Sequence, residues 1–306
     1  MKVQKIQLKT LLKLNKHGVT YKDFSLKNET TFKIGGKCDY FVEIHTVEDF
    51  IKVMLYLKER NASIFVLGNG SNILISDKGY RGVVIRLKGD FDRIDSRDEY
   101  LEVGSGVLLP KLYAYTLNHS LSGLEEGGLI PATVGGAVYM NAQTGSFLAS
   151  NLVEYVVAYD YSKIVYLKNA DCEFGHKKSI FQKGNYIILR VGLKLVRAPK
   201  EDIATKHHNA YIYRKENHPI EFPSAGCVFK KIDNKNISKM LDDMGIKGKK
   251  IGGALVSPKH ANFVISENAS SDEVYKLIKS IEKEFYEKYN FNLQREIILV
   301  GEFDET

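Results

Sequence analysis

Apolar positions fall into short blocks separated by charged or glycine-containing stretches, and the spacing inside each block predicts an element. Residues 48–60 place Phe50, Ile51, Met54, Leu55 and Leu57 among charges, which predicts a helix, and 63–67 is a short apolar run of buried-strand type. A tight polar loop, Gly68-Asn69-Gly70-Ser71-Asn72, comes next. Residues 82–87 and 100–103 read as strands, with a helical stretch over 108–118 behind the Gly104-Ser105-Gly106 turn. Between 149 and 196, β-rich patches at 153–159, 164–167 and 186–195 are split by polar turns. The charged segment 197–218 reads as a connector or an exposed helix. Ser270 and Glu273 form a capping box opening a helix with Val274, Leu277, Ile278, Ile281 and Phe285 on one face. Residues 295–300 predict a closing strand, and 5–17, stopping at Gly18, a short leading helix.

Short strands dominate over regular strand–helix alternation, so the expected class is α+β, with the last domain boundary near residue 201. At 306 residues and 44% hydrophobic content the chain is long enough for several cores. No apolar run approaches the roughly 18 residues a membrane helix needs, and lysines interrupt the amino-terminal apolar positions, so a cytoplasmic protein with no membrane partner is expected. The formal charge of +7 suits an anionic ligand, but the lysines are dispersed, and nucleic acid is not an expected partner. Cys38, Cys172 and Cys227 have no C-x-x-C spacing, which supports neither disulfides nor a cysteine zinc site.

Several nucleotide and catalytic signatures are absent. Gly68-x-Gly70 lacks the third glycine of a dinucleotide fingerprint, since Ile73 stands there, and Gly248-Lys249 does not complete a Walker loop. There is no G-x-S-x-G elbow and no H-E-x-x-H helix, and no metal is expected.

Four segments in register carry a resemblance. They are Asn28-Glu29-Thr30-Thr31-Phe32-Lys33-Ile34-Gly35-Gly36 with Val66-Leu67-Gly68-Asn69-Gly70-Ser71-Asn72; Gly123-Leu124-Glu125 leading into Ile130-Pro131-Ala132-Thr133-Val134-Gly135-Gly136; Phe174-Gly175-His176-Lys177-Lys178-Ser179; and Pro223-Ser224-Ala225-Gly226-Cys227-Val228-Phe229-Lys230 with Gly245 to Ala254, His260-Ala261-Asn262-Phe263 and Glu296. Together they resemble the UDP-N-acetylenolpyruvoylglucosamine reductase family, in its branch with a compact third domain.

That resemblance implies an α+β architecture: a leading helix within 1–24, a two-lobed FAD-binding domain of the p-cresol methylhydroxylase type over 25–200 (lobes about 25–90 and 91–200), and a smaller α+β substrate domain over 201–306. It implies a monomeric enzyme of peptidoglycan precursor synthesis that holds FAD noncovalently and uses NADPH to reduce a UDP-linked enolpyruvyl amino sugar. Ile34, Gly35, Gly68, Asn69, Gly70, Ser71, Asn72, Pro131, Thr133, Gly135 and Gly136 are its flavin-binding positions. Glycines at 68 and 70 suit close backbone approach to a pyrophosphate, although the loop read alone could equally be an ordinary turn.

The reaction leaves a carbanion equivalent that needs a cation and a proton. By resemblance Cys227 stands at the proton donor, commonly serine; a thiol, with an ordinary pKa near 8.5, yields its proton more readily than a hydroxyl. Glu296, in an apolar run, stands at the glutamate assisting the enol, and Lys177 replaces the family arginine, a point charge for a two-pronged donor. The competing structural readings are a small buried cysteine and a strand-end ion pair of Glu296 with Arg295 or a lysine. Arg214 is a second cation for the substrate, and Lys231 and Lys247 are diphosphate candidates. The segment Gln143-Thr144-Gly145 departs from the family and is shorter. These departures leave two alternatives: a flavin and UDP-sugar binding protein with weakened catalysis, or another flavin oxidoreductase of the same fold.

Overall fold

The computed structural model describes residues 13–232 and 235–304. Of the expected leading helix, 5–12 lie outside the described residues; Lys13 and Leu14 are helical. The helix does not extend to residue 24, because Val19–Ser25 is a strand. Val19, Thr20 and Tyr21 favour extended chain, and Gly18 has no room for a Cβ, which would stand 2.5 Å from the Glu43 carbonyl oxygen.

Contacts group the α+β chain into two compact units. The first contains 13–21, Tyr40–Asn69 and Gly82–Ile212 and has two cores. In one, the helix Val47–Lys58 buries Phe50, Val53, Met54 and Leu57 against Val83, Ile85 and Leu87. Thr46 caps this helix, its hydroxyl accepting from the Asp49 N–H at 3.1 Å. The associated sheet has the order Val19–Ser25, Lys37–Ile44, Tyr80–Leu87, Ile64–Val66, the last two strands parallel.

The other core lies on one face of a five-stranded antiparallel sheet ordered Ile164–Lys168, Val153–Tyr159, Ile187–Lys194, Tyr100–Gly104, Ile94–Arg97. Alternation along Val153–Tyr159 turns Val156 and Ala158 inward toward Leu109 and Leu112 of the helix Leu109–Asn118 and Ala137 and Val138 of the helix Val134–Tyr139.

The second unit contains Lys22–Asp39, Gly70–Arg81 and the residues from Tyr213 onward. Its core is built on the helix Ser271–Tyr289, whose Val274, Leu277, Ile278, Ile281 and Phe285 are buried. The capping box is present, Ser270 Oγ accepting from Glu273 N at 3.2 Å and Glu273 Oε2 accepting from Ser270 N at 2.9 Å. A four-stranded antiparallel sheet follows the order Ser224–Cys227, Phe263–Ser266, Ala254–Val256, Lys250–Ile251.

Two segments placed by sequence with the first lobe therefore group with the carboxy-terminal residues. The reason is pairing and burial: Ile73–Ile75 runs parallel to Ile298–Val300, and Phe32, Ile34 and Leu74 fill the core beneath the helix Ser271–Tyr289. The boundary expected near 201 falls at the start of one continuous helix, Lys200–Asn217, and the grouping changes within it. The closing strand is shorter than expected, Ile298–Val300, because the backbone of Glu296 bonds elsewhere. No helix among the described residues is long and apolar enough to cross a membrane.

Candidate functional site

The candidate residues form one cluster in each unit. In the first, the strand Ile64–Val66 delivers Gly68 and Asn69 to the block that begins at Ile130. Asn69 Nδ2 donates to the Pro131 carbonyl at 2.7 Å. A Cβ on Gly68 would stand 2.7 Å from Thr133 Oγ1, so the glycine is required by a neighbour. Thr133 is the N-cap of the helix Val134–Tyr139, its hydroxyl accepting from Gly136 N at 3.2 Å. Gly135 N donates to the Ser105 carbonyl at 2.9 Å, and a Cβ on Gly135 would reach 2.8 Å from Ser105 Cβ. The Ser105 hydroxyl itself is buried without a hydrogen-bond partner among the described residues.

Lys177 belongs to the same unit. Gly175 and Lys178 close a two-residue turn, each N–H donating to the other's carbonyl, and Lys177 takes the left-handed conformation at φ +52°. Such a conformation in a non-glycine residue costs about 1 kcal/mol and persists where neighbours impose it. Here Gln182 Nε2 donates to the Lys177 carbonyl at 3.1 Å and to the Tyr139 carbonyl at 3.0 Å, and Asn141 Nδ2 donates to the Gly175 carbonyl at 2.9 Å. Lys177 is half-buried while Lys178 is exposed. The shortened segment after Ala142 is a hairpin, Gln143–Thr144 with Phe147–Leu148, turning at Gly145. Glu126 holds it by accepting from the backbone N–H groups of Ser146 and Phe147.

In the second unit, Gly70 has φ +63° and its carbonyl accepts from Thr31 N at 3.2 Å. Thr31 Oγ1 donates to the Ser224 carbonyl at 2.7 Å. The Asn72 side chain donates to the Glu296 carbonyl at 3.0 Å, and the Asn72 carbonyl accepts from Ile298 N at 3.0 Å. Asn72 thus ties the closing segment down. Ile34 is a core residue, and Gly35 beside it has φ +147°.

Glu296 N donates to the Val228 carbonyl at 2.7 Å, which sets the Glu296 and Cys227 segments side by side. Both residues are half-buried. The sequence left open an ion pair between Glu296 and Arg295, but the Arg295 guanidinium forks onto Glu282 at 2.5 and 2.7 Å. Lys247 pairs with Asp242 at 2.8 Å on the surface, and Lys231 is exposed.

Sequence reasoning missed a group around Cys227. Cys227 is the cross-strand neighbour of Phe263, on whose ring His218 stacks at 5.2 Å and 22°. His260 lies 5.3 Å from His218, centroid to centroid, and Asn262 clamps the strand by donating to and accepting from the Phe229 backbone at 2.9 Å. Burial, with the charges of His260 and Arg214, pushes His218 down to about 4, so its ring is neutral near pH 7. Burial and then Lys247 also hold His260 below its ordinary value. Arg214, in the last turn of Lys200–Asn217, is half-buried and lowered by burial, an effect that the Cys227 charge opposes. The available signal was His218-Pro219 after a charged helix and His260 within a resembling block; their convergence is tertiary.

Comparison with known proteins bears on both clusters. Residues 218–300 match the family described as UDP-N-acetylenolpyruvoylglucosamine reductase, C-terminal domain, and 38–163 match the FAD binding domain. The chain is 36% identical over 294 residues to a UDP-N-acetylenolpyruvoylglucosamine reductase of Caldanaerobacter subterraneus, covering 95% of this chain and 97% of the relative. It is 37% identical over 297 residues to one from Caldicellulosiruptor bescii, covering 95% and 94%. The crystal structure of the Thermus caldophilus reductase superposes with a TM-score of 0.80 at 32% identity, covering 93% of this chain and 99% of that one. A flavin dinucleotide fits the residues present: Gly68 and Gly136 present backbone free of Cβ beside Thr133, and the buried Ser105 hydroxyl lacks a partner among the described residues. The chain, an oxidoreductase with an FAD-binding domain, belongs to the UDP-N-acetylenolpyruvoylglucosamine reductase family.

Proposed function

We propose that the protein reduces UDP-N-acetylglucosamine enolpyruvate to UDP-N-acetylmuramate in peptidoglycan precursor synthesis, with FAD as carrier and NADPH as hydride donor. The observation that carries this reading is the hydrogen bond from Glu296 N to the Val228 carbonyl, which sets the Glu296 segment beside the Cys227 segment within the family's C-terminal domain. Bound FAD would supply hydride to the vinyl carbon distal to the ether oxygen. Cys227 donates the proton to the carbon that keeps the ether, and Glu296 assists the enol. Lys177 and Arg214 supply positive charge for the substrate carboxylate, where electron density accumulates.

Lys231 and Lys247 serve the diphosphate. The Lys247–Asp242 pair is exposed, and surface pairs are worth about 0–1 kcal/mol, so Lys247 can exchange partners at small cost. Ile34, Gly35, Gly68, Asn69, Gly70, Ser71, Asn72, Pro131, Thr133, Gly135 and Gly136 form the flavin-binding set, Ile34 and Asn72 acting through the backbone they position. The same reading takes the protein to act as a cytoplasmic monomer, on a substrate domain that begins near residue 201.

Anaerobic stopped-flow absorbance tests the reading: NADPH bleaches the bound flavin, and the enolpyruvyl sugar restores it. Bleaching without restoration would favour the second reading, a UDP-sugar binder with weakened catalysis, which the lysine at 177 motivates. Lys177→Arg is expected to hold or raise the restoration rate if lysine is the weaker surrogate. A large loss would mean that the left-handed turn is built around lysine.

A further inference from the structure

Lys177 sits in a turn whose backbone is held by side chains from outside it. Gly175 N donates to the Lys178 carbonyl at 3.0 Å and Lys178 N to the Gly175 carbonyl at 3.2 Å. Of the two central residues Lys177 alone is left-handed, as in a type II turn, where glycine or asparagine is the usual occupant. Gln182, in the short helical turn Ile180–Lys183, uses both hydrogens of its amide: Nε2 donates to the Lys177 carbonyl at 3.1 Å and to the Tyr139 carbonyl at 3.0 Å. Ser179 Oγ donates to the same Tyr139 carbonyl at 2.7 Å. Asn141 Nδ2 donates to the Gly175 carbonyl at 2.9 Å, while its Oδ1 accepts from Ser150 N at 3.0 Å. Tyr139 ends the helix Val134–Tyr139, and the last carbonyls of a helix need partners from outside it. The turn is therefore fastened to the end of the helix that carries Gly135 and Gly136.

We propose that Gln182 is a positioning residue for Lys177: its amide bridges the Lys177 carbonyl and the end of the helix Val134–Tyr139, and so fixes the lysine backbone at a set place relative to the glycines of that helix. The proposal rests on the reading of Lys177 as a cation for the substrate carboxylate and of Gly135 and Gly136 as flavin positions. An arginine fork orients its own partner, whereas an ammonium acts as a point charge whose effect depends on distance. A loose turn would spread that distance, and a backbone tied to the helix narrows it. The side chain suits the task because one planar nitrogen carries two donors and reaches two carbonyls at once. Methionine in its place keeps the unbranched shape and loses both donors. Asn141 and Ser179 brace the same turn, but of the three side chains Gln182 bonds Lys177 itself.

Two readouts on the FAD-loaded full chain test this, one of them independent of activity. Amide hydrogen exchange over 175–182 is expected to be slowed at least about tenfold relative to unstructured chain in the wild type, and Gln182→Met to lose most of that protection. In anaerobic stopped flow, Gln182→Met is expected to lower the limiting rate of flavin restoration by the enolpyruvyl sugar about tenfold, the worth of a pair of hydrogen bonds. Because negative charge on the substrate grows in the transition state, the half-saturating sugar concentration should stay within about twofold, as should flavin reduction by NADPH. On a Lys177→Ala background, Gln182→Met should slow restoration no further. Unprotected exchange over 175–182 in the wild type overturns the proposal and needs no folded variant. Unchanged exchange and restoration in Gln182→Met, equal losses in both half-reactions, or an undiminished loss on the Lys177→Ala background overturn it as well. If Gln182→Met loosens the turn while Lys177→Ala restores flavin absorbance at the wild-type rate, the clamp on the turn stands and the reading of Lys177 as the substrate's cation fails.

Discussion

Gly68→Ala gives the sharpest test of how the glycine loop and the following helix depend on each other. The residue does not sit in the left-handed region, so a methyl group adds no backbone strain and acts only through contact. That contact is specific: the new Cβ would lie 2.7 Å from Thr133 Oγ1, with the next atoms at 3.6 and 3.7 Å. Relief requires the hydroxyl to rotate away from Gly136 N, which it caps at 3.2 Å. Losing an N-cap costs about 1 kcal/mol, which for a unit of this size lowers Tm by about 2–4 °C. If flavin binds against this surface, the same loss weakens FAD by about fivefold. Thermal melts of the apoprotein and fluorescence titration with FAD measure the two effects. The decisive comparison is with Thr133→Ala. On that background the methyl group meets no hydroxyl, and Gly68→Ala should cost little more. An equal cost in both backgrounds would refute the reasoning, because the glycine would then be required by something other than the cap.

Cys227→Ala should leave flavin reduction by NADPH nearly intact while slowing restoration by the enolpyruvyl sugar at least about 100-fold; equal losses in both half-reactions would contradict the proton-donor role. His218 is held at about 4 against an ordinary 6.5, so the unfolded chain binds that proton more tightly than the folded one. Stability is therefore full above about pH 6.5 and declines as pH falls toward about 4, with His260 acting in the same direction. Urea melts across that range should show a shallower decline for His218→Gln; an identical slope would remove His218 from the account. Tyr159 is buried with its hydroxyl unpartnered among the described residues, so Tyr159→Phe should raise stability by about 1 kcal/mol, and a clear loss in urea melts would mean that the hydroxyl has a partner.

Elements governed by nearest neighbours were legible in the sequence. The capping box and one-faced apolar spacing marked the helix Ser271–Tyr289, and alternation and β-branched content marked Val153–Tyr159. The blocks holding Gly68, Thr133, Cys227 and Glu296 were likewise legible as patterns in order along the chain. Other features depended on what each segment meets. Ile73–Ile75 is three apolar residues that acquire an identity only by pairing with Ile298–Val300, and that pairing moves Gly70 and Asn72 into the company of Glu296. Lys247, a free charge on paper, faces Asp242, and Arg295 turns from Glu296 to Glu282. His218 and His260 could not be linked to Cys227 by spacing, since stacking and loss of water arise only when strands and loops from distant parts of the chain cover one another. Local propensity and periodicity are written in consecutive residues; strand partners, desolvation and the company of a charge are set by the surfaces that close over them.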